Sequence, residues 1–294
     1  MNYYNEIKQE LISNEINKQI KDYSKNKYEL QKYYNVGKLL YEAGNQYGEG
    51  IIREYSKRLI IEVVKKYSIR YLFDIRKLFI FSKVHPLDAQ LTISHYRLLF
   101  PIKDLNTTNY YIDQTIKRKL SKRELENIIK NKEYERLPED TKLKLITKKE
   151  SIVYDFVKNP IIIKNTTNIK NISEKILQKL ILEDINTFLE ELGEGFCYIK
   201  NEYKIKFGDR YGYIDLLLYN IKFKCYVVVE LKVTELKAEH TGQIQKYMNY
   251  IDENIKTIEV NKTIGIIICK QDNHYVIKYC SDNKIISRTY ELIK

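Results

Sequence analysis

Residues 213–233, YIDLLLYNIKFKCYVVVELKV, restrict the folds open to this chain more than any other stretch. Two β-prone runs each carry charge into apolar surroundings, Asp215 in the first and Glu230 and Lys232 in the second. Val227, Val228 and Val229 precede the glutamate without a polar break, which predicts a strand covered on both faces. Buried charge is costly unless it is paired or holds a metal. A fold that accepts this stretch must therefore account for two acids and a lysine in apolar surroundings.

Side chains two apart on a strand share a face, so Glu230 and Lys232 point together and Leu231 points away. Asp215 belongs to the preceding strand, joined by a short hairpin-like link at 220–224, and adjacent antiparallel strands bring such residues close. Two neighbouring carboxylates repel, and one must take a proton unless a cation sits between them. Mg²⁺ or Mn²⁺, bound by oxygens and keeping several waters, fits that need. With a lysine beside it, such a centre suits attack on a phosphodiester. The plainer alternative is a structural Glu–Lys pair and an unrelated Asp at a strand end. The order of the surrounding elements favours the catalytic reading.

That order divides the chain. Residues 1–150 read as helices, with apolar residues at three- and four-residue spacings and a Ser121-x-x-Glu124 capping box. A linker or boundary is expected at 151–170, where Pro160 and a run of Asn, Thr and Lys break the rhythm. Residues 171–294 then give an amphipathic helix, ISEKILQKLILEDINTFLEELG, followed by strands GFCYIK, EYKIKF, YIDLLLYN and KCYVVVELKV. A second helix at about 237–252 has Ile244, Tyr247, Met248 and Ile251 on one face. TIGIIICK and HYVIKYCS read as further strands. The fold class expected is an α-helical N-terminal domain followed by an α/β domain with a mixed sheet flanked by helices.

Charge is uneven between the two. Residues 1–150 hold 30 Lys+Arg against 20 Asp+Glu, and the remainder 21 against 19, within a net charge of +12. A basic N-terminal half suits a polyanion, most simply nucleic acid. Codon drift in an AT-rich genome explains abundant Lys equally well but not the asymmetry, and charge alone leaves the two balanced. The N-terminus does not read as a secretory signal and apolar runs such as IGIIIC are too short to span a bilayer, so no membrane association and a cytoplasmic location are expected. Cys197, Cys225, Cys269 and Cys280 form no CxxC pair and have no His at zinc spacing, which argues against zinc, and most sit inside apolar strand-like runs, which predicts reduced core cysteines.

Asp215…Glu230-Leu231-Lys232 on an αβββαβ order resembles the PD-(D/E)xK nuclease superfamily, with Ile214 where the name has Pro. Gln243-Ile-Gln-Lys-Tyr247 resembles the helix signature of its RecB-like branch. FLEELGEGFCYI, YIDLLLYN, VVVELKVTELKAEHTGQIQKYMNYID and TIGIIICK, with YYNVGKLLYE, YGEGIIREYSKRL and ISHYRLLFPIKD upstream, look like the YhcG-type bacterial proteins over nearly the whole chain. The resemblance implies a restriction-endonuclease-like fold and Mg²⁺- or Mn²⁺-dependent hydrolysis of phosphodiesters, DNA the expected substrate. It implies Asp215, Glu230 and the Leu231 carbonyl as metal ligands and Lys232 as the residue that orients the nucleophilic water. Gln243 and Tyr247, one turn apart, would reach the same cleft, although Tyr247 also suits the core.

Nucleases of this kind carry an acid on the first helix. Gln178 stands where that Glu is expected, and of the acids flanking the apolar face, Glu191 is favoured over Asp184. His240 near Gln243 reads as a surface histidine. Arg70, Arg76, Lys77 and Arg97 lie on two segments that could form either a helix-turn-helix-like pair or an ordinary bundle, and would reach phosphates from the former; the resemblance also implies a DNA-binding N-terminal domain. A homodimer would be a natural way to cut both strands. The alternative from another class is a catalytically weak or inactive nucleic-acid-binding or regulatory protein on the same fold.

Overall fold

The computed structural model describes residues 3–17, 25–63, 67–166, 168–280 and 283–294. Parts of the expected segments, at 18–24, 64–66, Thr167 and Ser281, lie outside the described residues. The chain divides into two compact units, Met1–Tyr134 and Glu135–Lys294.

The first unit contains helices α1 (Tyr3–Asn17), α2 (Lys25–Tyr47), α3 (Gly50–Glu62), α4 (Ile69–Ser82), α5 (Ile93–Leu99), α6 (Leu105–Arg118) and α7 (Lys122–Lys130). Their apolar faces meet in a core that buries Ile7, Leu40, Ile52, Leu59, Leu72 and Ile75 completely. At Gly37 a Cβ would lie 2.5 Å from the Ile75 carbonyl, so α2 and α4 touch where only glycine fits. The capping box expected from sequence forms between Ser121 and Glu124, and Ser68 Oγ caps α4 by accepting from the Tyr71 N–H.

The second unit begins with α8 (Glu139–Thr147) and β1 (Ile161–Lys164), continues through α9 (Glu174–Glu183), α10 (Ile185–Leu192), β2 (Phe196–Phe207), β3 (Arg210–Asn220), β4 (Cys225–Glu235), α11 (Ala238–Asn254), β5 (Asn261–Gln271) and α12 (His274–Cys280), and ends in β6 (Ile285–Ile293). Its sheet runs β1-β6-β5-β4-β3-β2. The β2–β3 and β3–β4 pairs are antiparallel, and the β4–β5, β5–β6 and β1–β6 pairs are parallel. One face carries α9 and α10, through Leu177, Ile181, Phe188 and Leu192; the other carries α11, through Ile244, Met248 and Ile251. At Gly265 on β5 a Cβ would meet Met248 Sδ at 2.8 Å, so the absent side chain lets α11 lie close. Covered on both faces, β4 has the near-continuous apolar composition that its valines announced.

Several elements differ from the sequence expectation. The stretch 151–170 contains β1, and its flanks are folded onto the second unit. Asp155 accepts from Lys144 Nζ at 2.8 Å and from the Ile152 N–H at 2.7 Å, while Arg136 donates to the Pro160 carbonyl at 2.7 Å. These contacts hold α8 with the sheet, and the units divide after Tyr134. The single helix expected over 172–193 is two helices, because Asp184 leaves helical geometry (φ −136°, ψ 57°) and caps α10 through the Thr187 N–H. Of HYVIKYCS, the described residues 274–280 are helical rather than a strand. Asn273 bonds the Val276 N–H and starts α12, and the sheet position goes to β6, which lacks a strong apolar run.

Candidate active site

The expected triad lies where two strands part. β3 pairs with β4 only from Leu216 onward, and residues 210–214 pair with β2 alone. Ile214 and Leu217 both pack in the α11 layer, three residues apart, so the alternation of β3 slips at Asp215–Leu216. Asp215 thus occupies the fork. The Leu231 N–H donates to its Oδ2 at 2.8 Å, and Gln178 Nε2 donates to its backbone carbonyl at 2.9 Å.

On β4, Glu230 and Lys232 are both buried, with Lys232 Nζ 3.5 Å from Glu230 Oε2. Gln243, in the second turn of α11, donates to Glu230 Oε2 at 3.0 Å and lies 3.2 Å from the Tyr247 hydroxyl. Tyr247 stacks on Phe207 of β2 with centroids 6.4 Å apart, so it is at once a core residue and a support for Gln243. The structure therefore brings Asp215, Glu230, Lys232, Gln243 and Tyr247 into one cluster.

The electrostatics of this cluster are unbalanced. Burial pushes the Glu230 carboxyl up to about 8, with the Asp215 charge adding to burial and Lys232 opposing it. The Asp215 carboxyl is also raised, by burial first, while the Leu231 N–H and Lys232 draw it down. Glu230 Oε1 is buried with no hydrogen-bond partner. A buried carboxylate oxygen left bare costs free energy, and a cation between the two acids would remove both the repulsion and the missing contact. Among the described residues no group of three His, Cys, Asp or Glu is arranged to hold a metal. Two carboxylates suit a hard ion that keeps part of its water, as Mg²⁺ and Mn²⁺ do.

The helix acid is not where the sequence placed it. Glu191 lies away from this cluster. Arg136 binds its carboxylate through both terminal nitrogens, Lys158 Nζ lies 3.8 Å away, and the Ile162 N–H donates at 2.9 Å. Asp184 caps α10 and accepts from Lys164. The acid on this side of the cluster is Glu174, in the first turn of α9, with Oε2 3.6 Å from Lys232 Nζ. Its position one turn before Gln178 was the available signal. His240 is buried rather than on the surface, and its Nδ1 accepts from the Lys237 N–H at the start of α11.

In the first unit, Arg70, Lys77 and Arg97 line one groove of about 870 Å³ together with Lys103, Phe73, Phe81 and Phe100. Arg70 and Lys77 are exposed, whereas Arg97 is paired with Asp74 at 2.9 Å. Arg76 is elsewhere, bonded by Nη1 to both oxygens of Glu49 and packed against Gly44. Residues 83–92 separate α4 from the seven-residue α5, a far longer link than the roughly three- to four-residue turn of a helix-turn-helix.

Comparison with known proteins agrees with the two-unit division. Residues 154–293 match the YhcG PDDEXK nuclease domain and residues 6–136 the DUF1016 N-terminal domain. The Escherichia coli (strain K12) protein "Putative nuclease YhcG" is 21% identical, over 85% of this chain and 78% of its own length. Among solved structures, a repair endonuclease from Pyrococcus abyssi is 19% identical over 43% of this chain, with a TM-score of 0.30. The EndoMS-dsDNA2 complex is 16% identical over 44%, also at 0.30. The chain spans about half the length of these solved chains, 49% and 48%. The two domain matches follow one another along nearly the whole sequence, and the chain belongs to the YhcG family, a DUF1016 N-terminal domain followed by a PDDEXK nuclease domain.

Proposed function

We propose that this protein hydrolyses phosphodiester bonds in DNA and that Asp215 and Glu230 hold the divalent ion this requires. The observation that carries the reading is the bare Glu230 Oε1, buried beside a second carboxylate whose ionisation burial also opposes. The Leu231 carbonyl, between Glu230 and Lys232 in the chain, is a third oxygen for the same ion. When bound, Mg²⁺ or Mn²⁺ would neutralise the acid pair, stabilise charge building on the phosphate and lower the pKa of the attacking water.

The chain's own groups do the rest. Leu231 N–H and Gln178 fix the Asp215 side chain and backbone, respectively. Gln243 holds the orientation of Glu230, and Tyr247 positions Gln243. Lys232, tethered between Glu230 and Glu174, directs its ammonium to the place where water must attack and negative charge must grow. The exposed Arg70 and Lys77, in a half with excess positive charge, support duplex binding by the first unit.

The test is incubation of the full chain with plasmid, linear, single-stranded and branched DNA in Mg²⁺ or Mn²⁺. Cleavage should require the metal, stop in EDTA and be lost in Asp215→Ala. Persistence in either condition would refute the mechanism. For the first unit, Arg70→Gln with Lys77→Gln should reduce the log–log salt slope of duplex binding by about 1.8, roughly 0.9 per phosphate contact.

A further inference from the structure

Beyond Asp215 the sheet narrows to two strands. Residues 203–207 of β2 and 210–214 of β3 form a hairpin arm closed at Gly208 and Asp209, with Lys204 opposite Tyr213 and Lys206 opposite Tyr211. The faces of this arm have different fates. Ile205 and Ile214 are buried, Phe207 packs on Tyr247 and Tyr250, and a Cβ at Gly212 would meet Tyr247 Cε1 at 3.2 Å. That face clamps the arm to α11, the helix that carries Gln243.

The opposite face is open. Tyr211 and Tyr213 are 54% and 53% exposed, Lys204 and Lys206 are exposed, and Lys204 Nζ lies 3.8 Å from the Tyr211 ring centroid. The alternation that exposes Tyr211 and Tyr213 leads next to Asp215. At about 3.4 Å per residue, the tyrosines lie roughly 7 and 14 Å along the strand from it. Glu202 lies between Asn201, which pairs with Leu216, and Tyr203, which pairs with Ile214, and its charge bears on Asp215, so the basic and aromatic stretch begins further out, at Lys204 and Tyr213.

From this we infer that the open face of the β2–β3 arm is a track for an unpaired nucleic-acid strand, whose bases stack on Tyr213 and Tyr211 and whose phosphates meet Lys204 and Lys206. Duplex keeps its base faces covered, so tyrosine rings gain stacking only from unpaired nucleotides. Lysines between the rings add attraction for the backbone, and stacking tolerates any base. The inference rests on the proposed nuclease function and narrows its substrate to DNA with an unpaired segment beside the scissile bond. The arm's back face, packed on α11, sets the distance from that segment to the acid pair.

The experiment uses the full chain in EDTA, with an oligonucleotide carrying 2-aminopurine, either single-stranded or annealed. Single-strand binding should quench the fluorophore. Tyr211→Ala with Tyr213→Ala should weaken single-strand affinity about tenfold or more and abolish the quench, with duplex affinity changed less than about twofold. Tyr211→Phe with Tyr213→Phe should keep both affinity and quench, since the ring and not the hydroxyl is used. Lys204→Gln with Lys206→Gln should lower the single-strand salt slope by about 1.4. The inference is overturned if the alanine variant keeps the quench, if single-strand and duplex affinity fall together, or if it changes only the oligomeric state. Asp215→Asn separates the two claims, because it should leave binding and quench intact. If wild type fails to cut yet shows this pattern, the nuclease reading falls and the track stands; if it cuts and the pattern is absent, the reverse holds.

Discussion

The second unit contains two buried ionic clusters of opposite design. At Glu191 one carboxylate meets two cations, Arg136 and Lys158, and a backbone N–H, so its oxygens are satisfied. At Glu230 two carboxylates share one buried lysine, one oxygen has no partner, and the carboxyl is pushed up to about 8. Glu191 and Glu230 are both buried, so burial of the glutamate does not separate structure from chemistry. The balance of charge does. A surplus of donors closes the first cluster, and a surplus of acid leaves the second open to a cation.

The largest expected effect tests that contrast directly. Asp215→Asn or Glu230→Gln should reduce cleavage about a thousandfold or more while leaving the melting temperature equal to or above wild type, because each removes a carboxyl whose ionisation burial opposes. Measured unfolding with loss of stability in both variants would place this cluster in the structural class. Glu191→Ala should do the converse. It removes the carboxylate that neutralises two buried cations and should cost about 3–5 kcal/mol in denaturant unfolding, while the residual folded protein still cuts.

A smaller effect should appear in pH titrations of stability. The folded Glu230 carboxyl holds its proton to about pH 8, against an ordinary value of 4.5. Between these values the native state binds more protons than the unfolded chain, so stability falls as pH rises through that window. Metal-free wild type should therefore lose about 5 °C in melting temperature from the acid to the alkaline side, relative to Glu230→Gln. Adding Mn²⁺ should restore more stability on the alkaline side, where the ligands are ionised. The smallest effect concerns Glu174, which is half exposed beside Lys232. Glu174→Gln should lower the cleavage rate about threefold, and no change would make it a bystander to the lysine.

The residues of the open cluster were legible because their chemistry is local. Charge inside a valine-rich strand, a glutamate and a lysine two apart, and a glutamine four before a tyrosine on a helix are each readable from periodicity and residue type. The closed cluster was not. Glu191 flanks the apolar face of its helix, which is all that spacing can show, and nothing near it in the chain announces Arg136, which comes 55 residues earlier.

The sequence by itself determined the helical first unit, the sheet flanked by helices, and the acid pair with its lysine, because each depends on spacing within one element or between neighbouring ones. Only the tertiary structure decided that β1 joins β6, that Asp184 breaks a helix in two, that 274–280 is helical, and that Glu174 rather than Glu191 faces Lys232. These depend on partners distant in the chain or on competition between local hydrogen bonds and sheet pairing. An apolar pattern does not encode which cation a buried carboxylate will meet, since that is fixed only when the remote segments pack.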